Sequence, residues 1–385
     1  MNVLIATFLV PTSPSGVVTY CRTLVKDLTR EGVQVTQVDA SHTPTVWKKV
    51  LGVLKRIMRP LGGASWVVYD EFAYFTGLYL ATRKLRNAGI DLIHAQDVRS
   101  GVAAYLALGR RTPIVLTCHF NDDPVKELVL AYALKPWFTR QLTAWYTYLF
   151  SYVKNYVFVS NYAYTQSRHL LPQDLTKRVL PNTVQLEGTF VSRTPSPTLT
   201  ITNVGHIDER KNQKLLIEIG HELRLRNLSN FNIWLIGDGP KRQEYEQLAE
   251  TLGLKEQVKF YGRHTAPWQL VAQSDLYIHT ALNDNCPYSI IEAFAVQTPV
   301  LALPVGGIPE MLPESNGPLR GTDARSLANE IAPYFEANKR KSLAEAQAVH
   351  ADYKFNHRKS VNELLHFYRQ TVQEPSLVTA QAIPV

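Results

Sequence analysis

Apolar and polar positions alternate in a regular order along the first half of the chain. Five short apolar runs have the length and composition of buried strands, at residues 3–9, 33–38, 92–95, 114–118 and 156–159. After the first run, apolar residues recur every three or four positions from Val17 to Leu28, and Gly32 stands where such a helix would end. Strand, loop, helix and strand in this order predict a parallel, doubly wound α/β sheet.

The same alternation starts again after a polar, proline-bearing segment at residues 185–198, which we interpret as a linker. Five further strands are predicted, at residues 199–204, 232–236, 258–261, 276–279 and 299–303. We therefore predict two Rossmann-like domains, at residues 1–184 and 199–355. A helix at residues 356–373 is expected to cross back to the first domain, and residues 374–385 are expected to be disordered. Ligands bind beyond the carboxyl ends of strands in such sheets, so two parallel sheets that face each other would enclose a central cleft.

Composition narrows the class of protein only a little further. With 385 residues, of which 45% are hydrophobic, the chain can bury two ordinary cores, and its formal charge of +8 favours anionic partners such as phosphates. Cys21, Cys118 and Cys286 lack disulfide or metal-site spacing, so we expect a reducing, cytoplasmic compartment. The apolar start resembles a first strand, no run is long enough to span a bilayer, and no signature supports nucleic acid as a partner.

One segment adds a candidate membrane surface. Residues 46–58 carry six apolar side chains at helical spacing, with basic residues largely elsewhere: Trp47, Val50, Leu51, Leu54, Ile57 and Met58. We predict that this basic amphipathic helix, at residues 46–59, contacts an anionic membrane, which would place the protein peripherally on the inner face. An ordinary surface helix packed on the sheet explains the same pattern equally well.

Three loops after predicted strands carry residues suited to binding a phosphate. Gly16 opens a helix after the first strand, where a residue without Cβ lets backbone N–H groups approach a ligand. Gly237 begins a tight turn in the second half, and the run from Asp208 places Arg210 and Lys211 at the end of another strand. Structural turns explain both glycines as well as a site does, and a solvated surface is the usual explanation of a charge cluster.

The segment at residues 283–294 gives a sharper signal. Pro287 suits the first turn of a helix, so Asp284 lies in the preceding loop and Glu292 lies one to two turns inside. The N–H groups and dipole of that helix end attract phosphate, and carboxylates accept hydrogen bonds from sugar and ribose hydroxyls. A helix-capping Asp and an ordinary helix Glu are an equally good explanation of this segment alone.

The order of these motifs resembles that of the retaining glycosyltransferases of family 4 over nearly the whole chain. The matching segments are Ser15-Gly16-Val17, Thr117-Cys118-His119, Pro181-Asn182-Thr183-Val184, Gly205 with Lys211, Gly237-Asp238-Gly239-Pro240, residues 258–262, Asp284 with Glu292, and residues 306–310. Two residues depart from the family pattern. Asp284 replaces the usual first Glu of the acidic pair, and His206 replaces the usual phosphate-binding Arg, for which Arg210 is a substitute.

The resemblance implies a GT-B fold and a role for each matching residue. It assigns catalytic contacts with the donor sugar to His119 and Asp284, although a histidine hydrogen-bonded at a strand end also explains His119. It assigns donor binding to Gly16, Arg210, Lys211, Pro287, Tyr288, Ser289 and Glu292, with His206, Gly237 and Arg263 as further candidates. Among these, Lys211 would neutralise the leaving diphosphate and Glu292 would hold the ribose.

The family also implies a reaction. A sugar would move, with retained configuration and without a metal or cofactor, from a UDP- or GDP-linked donor to a glycan, lipid-linked or small-molecule acceptor in polysaccharide or glycoconjugate biosynthesis. Asp284 and His206 also motivate a second hypothesis, a catalytically impaired GT-B protein that binds a nucleotide sugar or a partner without transfer. A sugar-nucleotide epimerase is a third hypothesis, which these motifs resemble less closely.

Overall fold

The computed structural model describes residues 1–13, 15–186, 188–189, 191, 193, 196–314 and 316–373. The chain divides into two compact units. The first comprises Met1–Leu180 and the C-terminal segment from Arg358 onward, and the second comprises Pro181–His357. The boundary falls shortly before the segment interpreted as a linker, only part of which is described. The tail expected to be disordered, residues 374–385, lies outside the described residues.

The first unit is built on six parallel strands: β1 Asn2–Ala6, β2 Gln34–Val38, β3 Leu92–Ala95, β4 Ile114–Cys118, β5 Asn155–Phe158 and β6 Thr176–Val179. Their order is β2-β1-β3-β4-β5-β6, so the chain winds outward from β1 in both directions. The first five confirm the strands predicted from the apolar runs. β6 was not predicted, because its residues are mainly polar and half-buried, which is typical of a strand at the edge of a sheet.

The second unit is built on five parallel strands: β7 Leu199–Val204, β8 Phe231–Ile236, β9 Val258–Gly262, β10 Leu276–His279 and β11 Val300–Ala302. They confirm the five strands predicted for this half. Their order is β11-β10-β7-β8-β9, which makes β7 and β10 neighbours although β8 and β9 lie between them in sequence. The loops that follow β7 and β10 therefore leave the sheet next to each other.

Helices connect the strands in both units. Within the described residues they are α1 Gly16–Arg30, α2 Thr45–Met58, α3 Gly63–Arg83, α4 Val98–Ala107, α5 Pro124–Tyr132, α6 Pro136–Phe150, α7 Asn161–Ser167, α8 Gln213–Leu225, α9 Arg242–Thr251, α10 Trp268–Val271, α11 Tyr288–Ala295, α12 Ile308–Met311, α13 Ala324–Ile331, α14 Ala337–Lys354 and α15 His357–Gln373. Short 3-10 turns lie at Ala40–His42, Arg59–Leu61, Arg168–Leu170 and Ala332–Phe335. α1 confirms the predicted amphipathic helix, which Ser15 caps by accepting a hydrogen bond from the Val17 N–H.

The C-terminal helix α15 completes the core of the first unit. Its buried residues Leu364, Leu365, Phe367 and Tyr368 share one hydrophobic cluster with residues of β1 and α1. The Tyr368 hydroxyl also forms a hydrogen bond with Nδ1 of His94, which is buried in β3. This apolar face covers one side of the first sheet, which explains why a helix so late in the chain belongs to the first unit.

The amphipathic pattern of α2 divides into two apolar stripes. Trp47, Leu51, Leu54 and Met58 pack with Tyr69 and Ala73 of α3. Val46, Val50, Val53 and Ile57 form a second stripe and are 47% to 77% exposed. The apolar face predicted for residues 46–58 is thus only partly exposed, because α3 covers one of its two stripes. None of the helices in the described part of the chain has the length and apolarity needed to cross a bilayer.

Candidate functional site

The candidate site is in the second unit, where the loops after β7 and β10 lie side by side. Two hydrogen bonds join these loops. The Leu282 N–H donates to the Arg210 carbonyl at 2.8 Å, and Thr280 Oγ1 donates to the Lys211 carbonyl at 3.1 Å. Arg210 and Lys211 are therefore fixed next to the segment that carries Asp284.

Asp284 is the charged centre of this region and is only 7% exposed. Lys211 Nζ donates to its Oδ2, His279 Nε2 lies 3.1 Å from the same oxygen, and the Asn285 N–H donates to Oδ1 at 3.2 Å. Burial alone would raise the pKa of this carboxyl, but the Lys211 ammonium and the hydrogen bond with His279 outweigh burial and hold the pKa well below its usual range. Asp284 is therefore ionised, and it holds the Lys211 cation beside it.

A buried pair of side chains supports Asp284 from β10. The Tyr277 hydroxyl lies 3.2 Å from His279 Nδ1, and both residues are at most 1% exposed. Burial lowers the pKa of His279 below its ordinary value, although the Asp284 carboxylate acts in the opposite direction. The neutral imidazole therefore carries its proton on Nε2, facing Asp284, and accepts the tyrosine hydrogen on Nδ1. The sequence motifs do not indicate Tyr277 or His279, and the only signal for them is a histidine at the end of a strand.

Two glycines allow backbone segments to approach at distances that no side chain would permit. A Cβ on Gly306, which has φ +58°, would lie 2.0 Å from the Asp284 carbonyl oxygen. A Cβ on Gly237, which has φ +143°, would lie 1.9 Å from the Gly205 carbonyl oxygen. The Gly237 N–H donates a hydrogen bond to the Gly262 carbonyl at 2.8 Å. Gly237 thus shapes the turn through close backbone packing.

The helix after Asp284 begins at Tyr288, the first residue of α11. Pro287 is the N-cap residue, with φ −67° and ψ 131°. The expectation that Pro287 lies within the first turn is wrong by one position, because its extended ψ keeps it outside the helix. The side chain of Pro287 makes no capping hydrogen bond, and Tyr288 and Ser289 are the first two residues of α11, where the backbone N–H groups of a helix point toward its N-terminal end.

Asn182 holds the chain that leads into α11. Its side-chain amide donates to the Cys286 carbonyl at 2.7 Å, and Asn182 is buried. The next residue, Thr183, bonds through Oγ1 with His357 Nδ1 at 2.8 Å. The Pro-Asn motif matched in the sequence therefore anchors the start of the second unit beside the entrance of the helix.

Glu292 lies one turn into α11 and is partly buried. Burial raises the pKa of its carboxyl from 4.5 to about 7. Within the described residues, its carboxylate has no hydrogen bond or ion pair. A partly buried carboxylate with a raised pKa, in the first turns of a helix, is typical of a group that accepts a hydrogen bond from a ligand.

The other second-unit candidates lie at the rim. Arg210 is exposed, and its Nη1 donates to the Asn283 carbonyl at 3.2 Å, beside the loop that carries Asp284. His206 and Arg263 are also exposed. In the part of the chain that the structure describes, no hydrogen bond or ion pair joins either side chain to the acidic pair. Arg210 and Lys211 are therefore the cations that the structure brings to the site.

Two candidates, His119 and Gly16, lie in the first unit. His119 follows β4, and its Nε2 lies 2.8 Å from Gln96 Oε1. The Tyr20 ring packs edge-on against the His119 ring with centroids 4.7 Å apart, and burial lowers the pKa of His119 to about 3. Gly16 is exposed at the first position of α1, the helix that carries Tyr20. His119 is therefore a neutral imidazole in a fixed orientation, and Gln96 and Tyr20 are neighbours that the motifs did not indicate.

Solved structures of known proteins share this architecture. Anabaena Alr3699/HepE in complex with UDP and glucose superimposes with a TM-score of 0.70 at 18% identity, covering 96% of this chain and 100% of that chain. Sucrose-phosphate synthase from Thermosynechococcus elongatus gives a TM-score of 0.72 at 18% identity, covering 96% and 98%. The two parallel-sheet units are therefore those of the GT-B fold.

The family follows from the sequence matches to both halves. The model described as Glycosyltransferase Family 4 matches residues 14–187, and the model described as Glycosyl transferases group 1 matches residues 187–350. The chain belongs to this glycosyltransferase family, which confirms the resemblance found in the motifs.

Curated relatives match shorter stretches. The lipopolysaccharide core biosynthesis glycosyltransferase LpsD of Rhizobium meliloti is 26% identical over 110 residues, which are 29% of this chain and 31% of that protein. The phosphatidylinositol N-acetylglucosaminyltransferase GPI3 subunit of Saccharomyces cerevisiae is 27% identical over 146 residues, which are 35% and 32% of the two chains. The chain thus spans about a third of the length of the curated relatives that it matches.

Proposed function

We propose that this protein transfers a sugar from a nucleotide diphosphate donor, UDP- or GDP-linked, to a carbohydrate or lipid-linked acceptor, with retained configuration and without a metal. One observation carries the proposal. The buried Asp284 holds the Lys211 cation beside the start of α11, and Glu292 follows one turn later with a raised pKa. A cation, the N-terminal end of a helix and a carboxylate acceptor match the diphosphate and ribose of such a donor.

Each group has a distinct task in this proposal. An ammonium can donate three hydrogen bonds, so the contact of Lys211 with Asp284 leaves capacity for phosphate oxygens. Lys211 and Arg210 stabilise the charge that develops on the leaving diphosphate, aided by the N–H groups of Tyr288 and Ser289. Glu292 accepts hydrogen bonds from the ribose. His119 contacts the donor sugar as a neutral group with a fixed tautomer.

Similar proteins favour a uridine donor as the first to test. The structures of Anabaena Alr3699/HepE are complexes with UDP, with UDP-glucose, and with UDP and glucose. The curated relatives are named for transfer of N-acetylglucosamine to phosphatidylinositol and for lipopolysaccharide core biosynthesis. These names support a lipid-linked or polysaccharide acceptor for this chain.

The same site also gives the second hypothesis a specific motivation. Asp284 is occupied by Lys211, His279 and its neighbouring N–H, so a sugar hydroxyl would compete with these three partners. A protein that binds the nucleotide through Lys211 and Glu292 without moving the sugar fits this arrangement. Donor turnover distinguishes the two functions.

The experiment starts with a thermal-shift screen of UDP- and GDP-linked sugars, followed by donor turnover and analysis of the product anomer by NMR. We expect a stabilising donor whose turnover persists in EDTA and whose product keeps the anomeric configuration. Lys211→Ala should weaken donor binding and lower turnover. Lys214→Ala, which removes an exposed lysine of α8, is the matched control. Binding without turnover for every donor would instead support the non-transferring protein, and loss of turnover in EDTA would contradict the metal-free mechanism.

A further inference from the structure

The first unit contains an apolar cavity between α3 and α6 that has no part in the donor site. Its volume is about 330 Å³. The lining is almost entirely hydrocarbon and includes Val68, Phe72, Phe75, Phe138, Leu142 and Trp145. An apolar cavity of about 150 Å³ is enough to bind benzene, so this volume suits a longer apolar group.

The cavity opens to the surface through α3. Val68 is 47% exposed and Phe72 is 45% exposed, although both line the cavity. Trp137, 56% exposed, precedes the lining residue Phe138 on α6. Large exposed apolar side chains at a cavity mouth are typical of a site that receives a ligand from outside.

The polar groups at the inner end of the cavity are already satisfied. The Glu71 carboxylate accepts hydrogen bonds from Arg99 Nη1, Trp145 Nε1 and the Tyr146 hydroxyl, each at 2.9 Å. Glu71 is 8% exposed, and the Arg99 guanidinium balances its charge within the protein. The cavity therefore offers a ligand a hydrocarbon wall rather than a binding charge.

The charge that would attract such a ligand lies on the neighbouring α2. From residue 40 to residue 69 the chain has no Asp or Glu, and it has Lys48, Lys49, Lys55, Arg56 and Arg59. The exposed stripe of α2, residues Val46, Val50, Val53 and Ile57, runs along the same helix. Trp47 of α2 packs 6.2 Å from Phe72, ring centre to ring centre, which connects the basic helix to the cavity mouth.

We propose that this cavity binds one hydrocarbon chain of an anionic membrane lipid, while the exposed stripe and basic residues of α2 lie on the membrane surface. Basic residues beside an exposed apolar stripe match an anionic interface, and the adjacent cavity accepts a chain that leaves the bilayer. The proposal concerns lipid binding, and it holds whether or not the donor site transfers a sugar.

The test uses vesicles of phosphatidylglycerol and phosphatidylcholine in which the phosphatidylglycerol carries a photoactivatable diazirine near the end of one acyl chain. After irradiation of the full chain, mass spectrometry maps the labelled peptides. We expect labels on the α3 and α6 lining, at Phe75, Leu142 or Trp145. Val68→Trp, which fills the mouth, should reduce this labelling about tenfold, the change expected from losing the burial of roughly two methylene groups.

Two further variants make the outcome decisive. Val349→Trp adds the same side chain at a position that is 76% exposed in the second unit, and it should not alter labelling. Gln141→Trp fills the cavity from α6 and replaces Val68→Trp if that variant does not fold. Labels confined to α2, an absence of labels, lining labels that persist in the filled variants, or equal labelling when the probe is on phosphatidylcholine in neutral vesicles would each overturn the proposal.

Discussion

Replacing Glu292 by Gln should change how the stability of the protein depends on pH. The carboxyl is partly buried on α11, and burial raises its pKa from 4.5 to about 7. Glutamine has nearly the same shape but never ionises. The variant therefore removes the cost of holding a charge at this position and keeps the packing.

The raised pKa determines both the sign and the size of this effect. Between pH 4.5 and 7 the folded protein binds more protons at Glu292 than the unfolded chain does, so stability falls as the pH rises through this window. The full shift corresponds to about 3 kcal/mol, since one pKa unit is about 1.4 kcal/mol. Between pH 5 and pH 8, Glu292→Gln should gain about 2 kcal/mol of stability relative to the parent.

Urea unfolding at pH 5 and pH 8 measures this difference. Comparing parent and variant at each pH cancels the other titrating groups, which both proteins share. Glu256→Gln, which neutralises an exposed carboxylate of the same unit, should leave stability within about 0.5 kcal/mol of the parent at both pH values. A stability difference for Glu292→Gln that is equal at pH 5 and pH 8 would refute the raised pKa.

The same variant also tests the role of Glu292 in binding. If ribose hydroxyls donate to its carboxylate, a bound nucleoside diphosphate favours the ionised form, so parent affinity should rise from pH 6 to pH 8 more than variant affinity does. Calorimetry with UDP measures both slopes, and the titration of the ligand's own phosphate cancels between them. Parallel slopes would remove Glu292 from the nucleotide site.

Further substitutions test the rest of the site. Lys211→Ala should weaken nucleoside diphosphate binding by about 1.5–3 kcal/mol, the value of a charge-assisted hydrogen bond. Arg210→Ala should weaken the same binding by less. Calorimetry that shows no change for either variant would remove both residues from the site. Asp284→Asn should lower kcat and, because the neutral amide no longer holds Lys211 in place, should also weaken nucleoside diphosphate binding. Asp284→Glu, which restores the family residue, should retain activity or change donor preference. Undiminished kcat in Asp284→Asn would contradict a role in the transfer step. Gly306→Ala should destabilise the second unit strongly, because the added Cβ would lie 2.0 Å from the Asp284 carbonyl oxygen. Gly262 also has a positive φ, +71°, but an added Cβ there meets no such clash, so Gly262→Ala should cost only about 1–2 kcal/mol. Thermal or urea unfolding measures both changes.

Local periodicity was sufficient to predict most of the fold. Buried parallel strands such as Ile114–Cys118 and Leu276–His279 are continuous apolar runs, so a short window of sequence identifies them. The amphipathic stretch after Ser15 likewise identified α1. The apolar pattern does not predict the strand Thr176–Val179, because a strand at the edge of a sheet needs few apolar residues.

The sequence also determined which residues to examine at the candidate site. Asp284, Glu292 and Lys211 were selected from motif order and residue chemistry. Only the tertiary structure determines which of these residues are in contact. Lys211 reaches Asp284 because β7 and β10 are neighbours in the sheet, and His279 supports that pair from within the core. Tertiary neighbours also cause the pKa shifts of Asp284 and Glu292 and divide α2 into a packed and an exposed stripe. A local pattern of apolar and polar residues does not contain these neighbours, because they are distant in sequence.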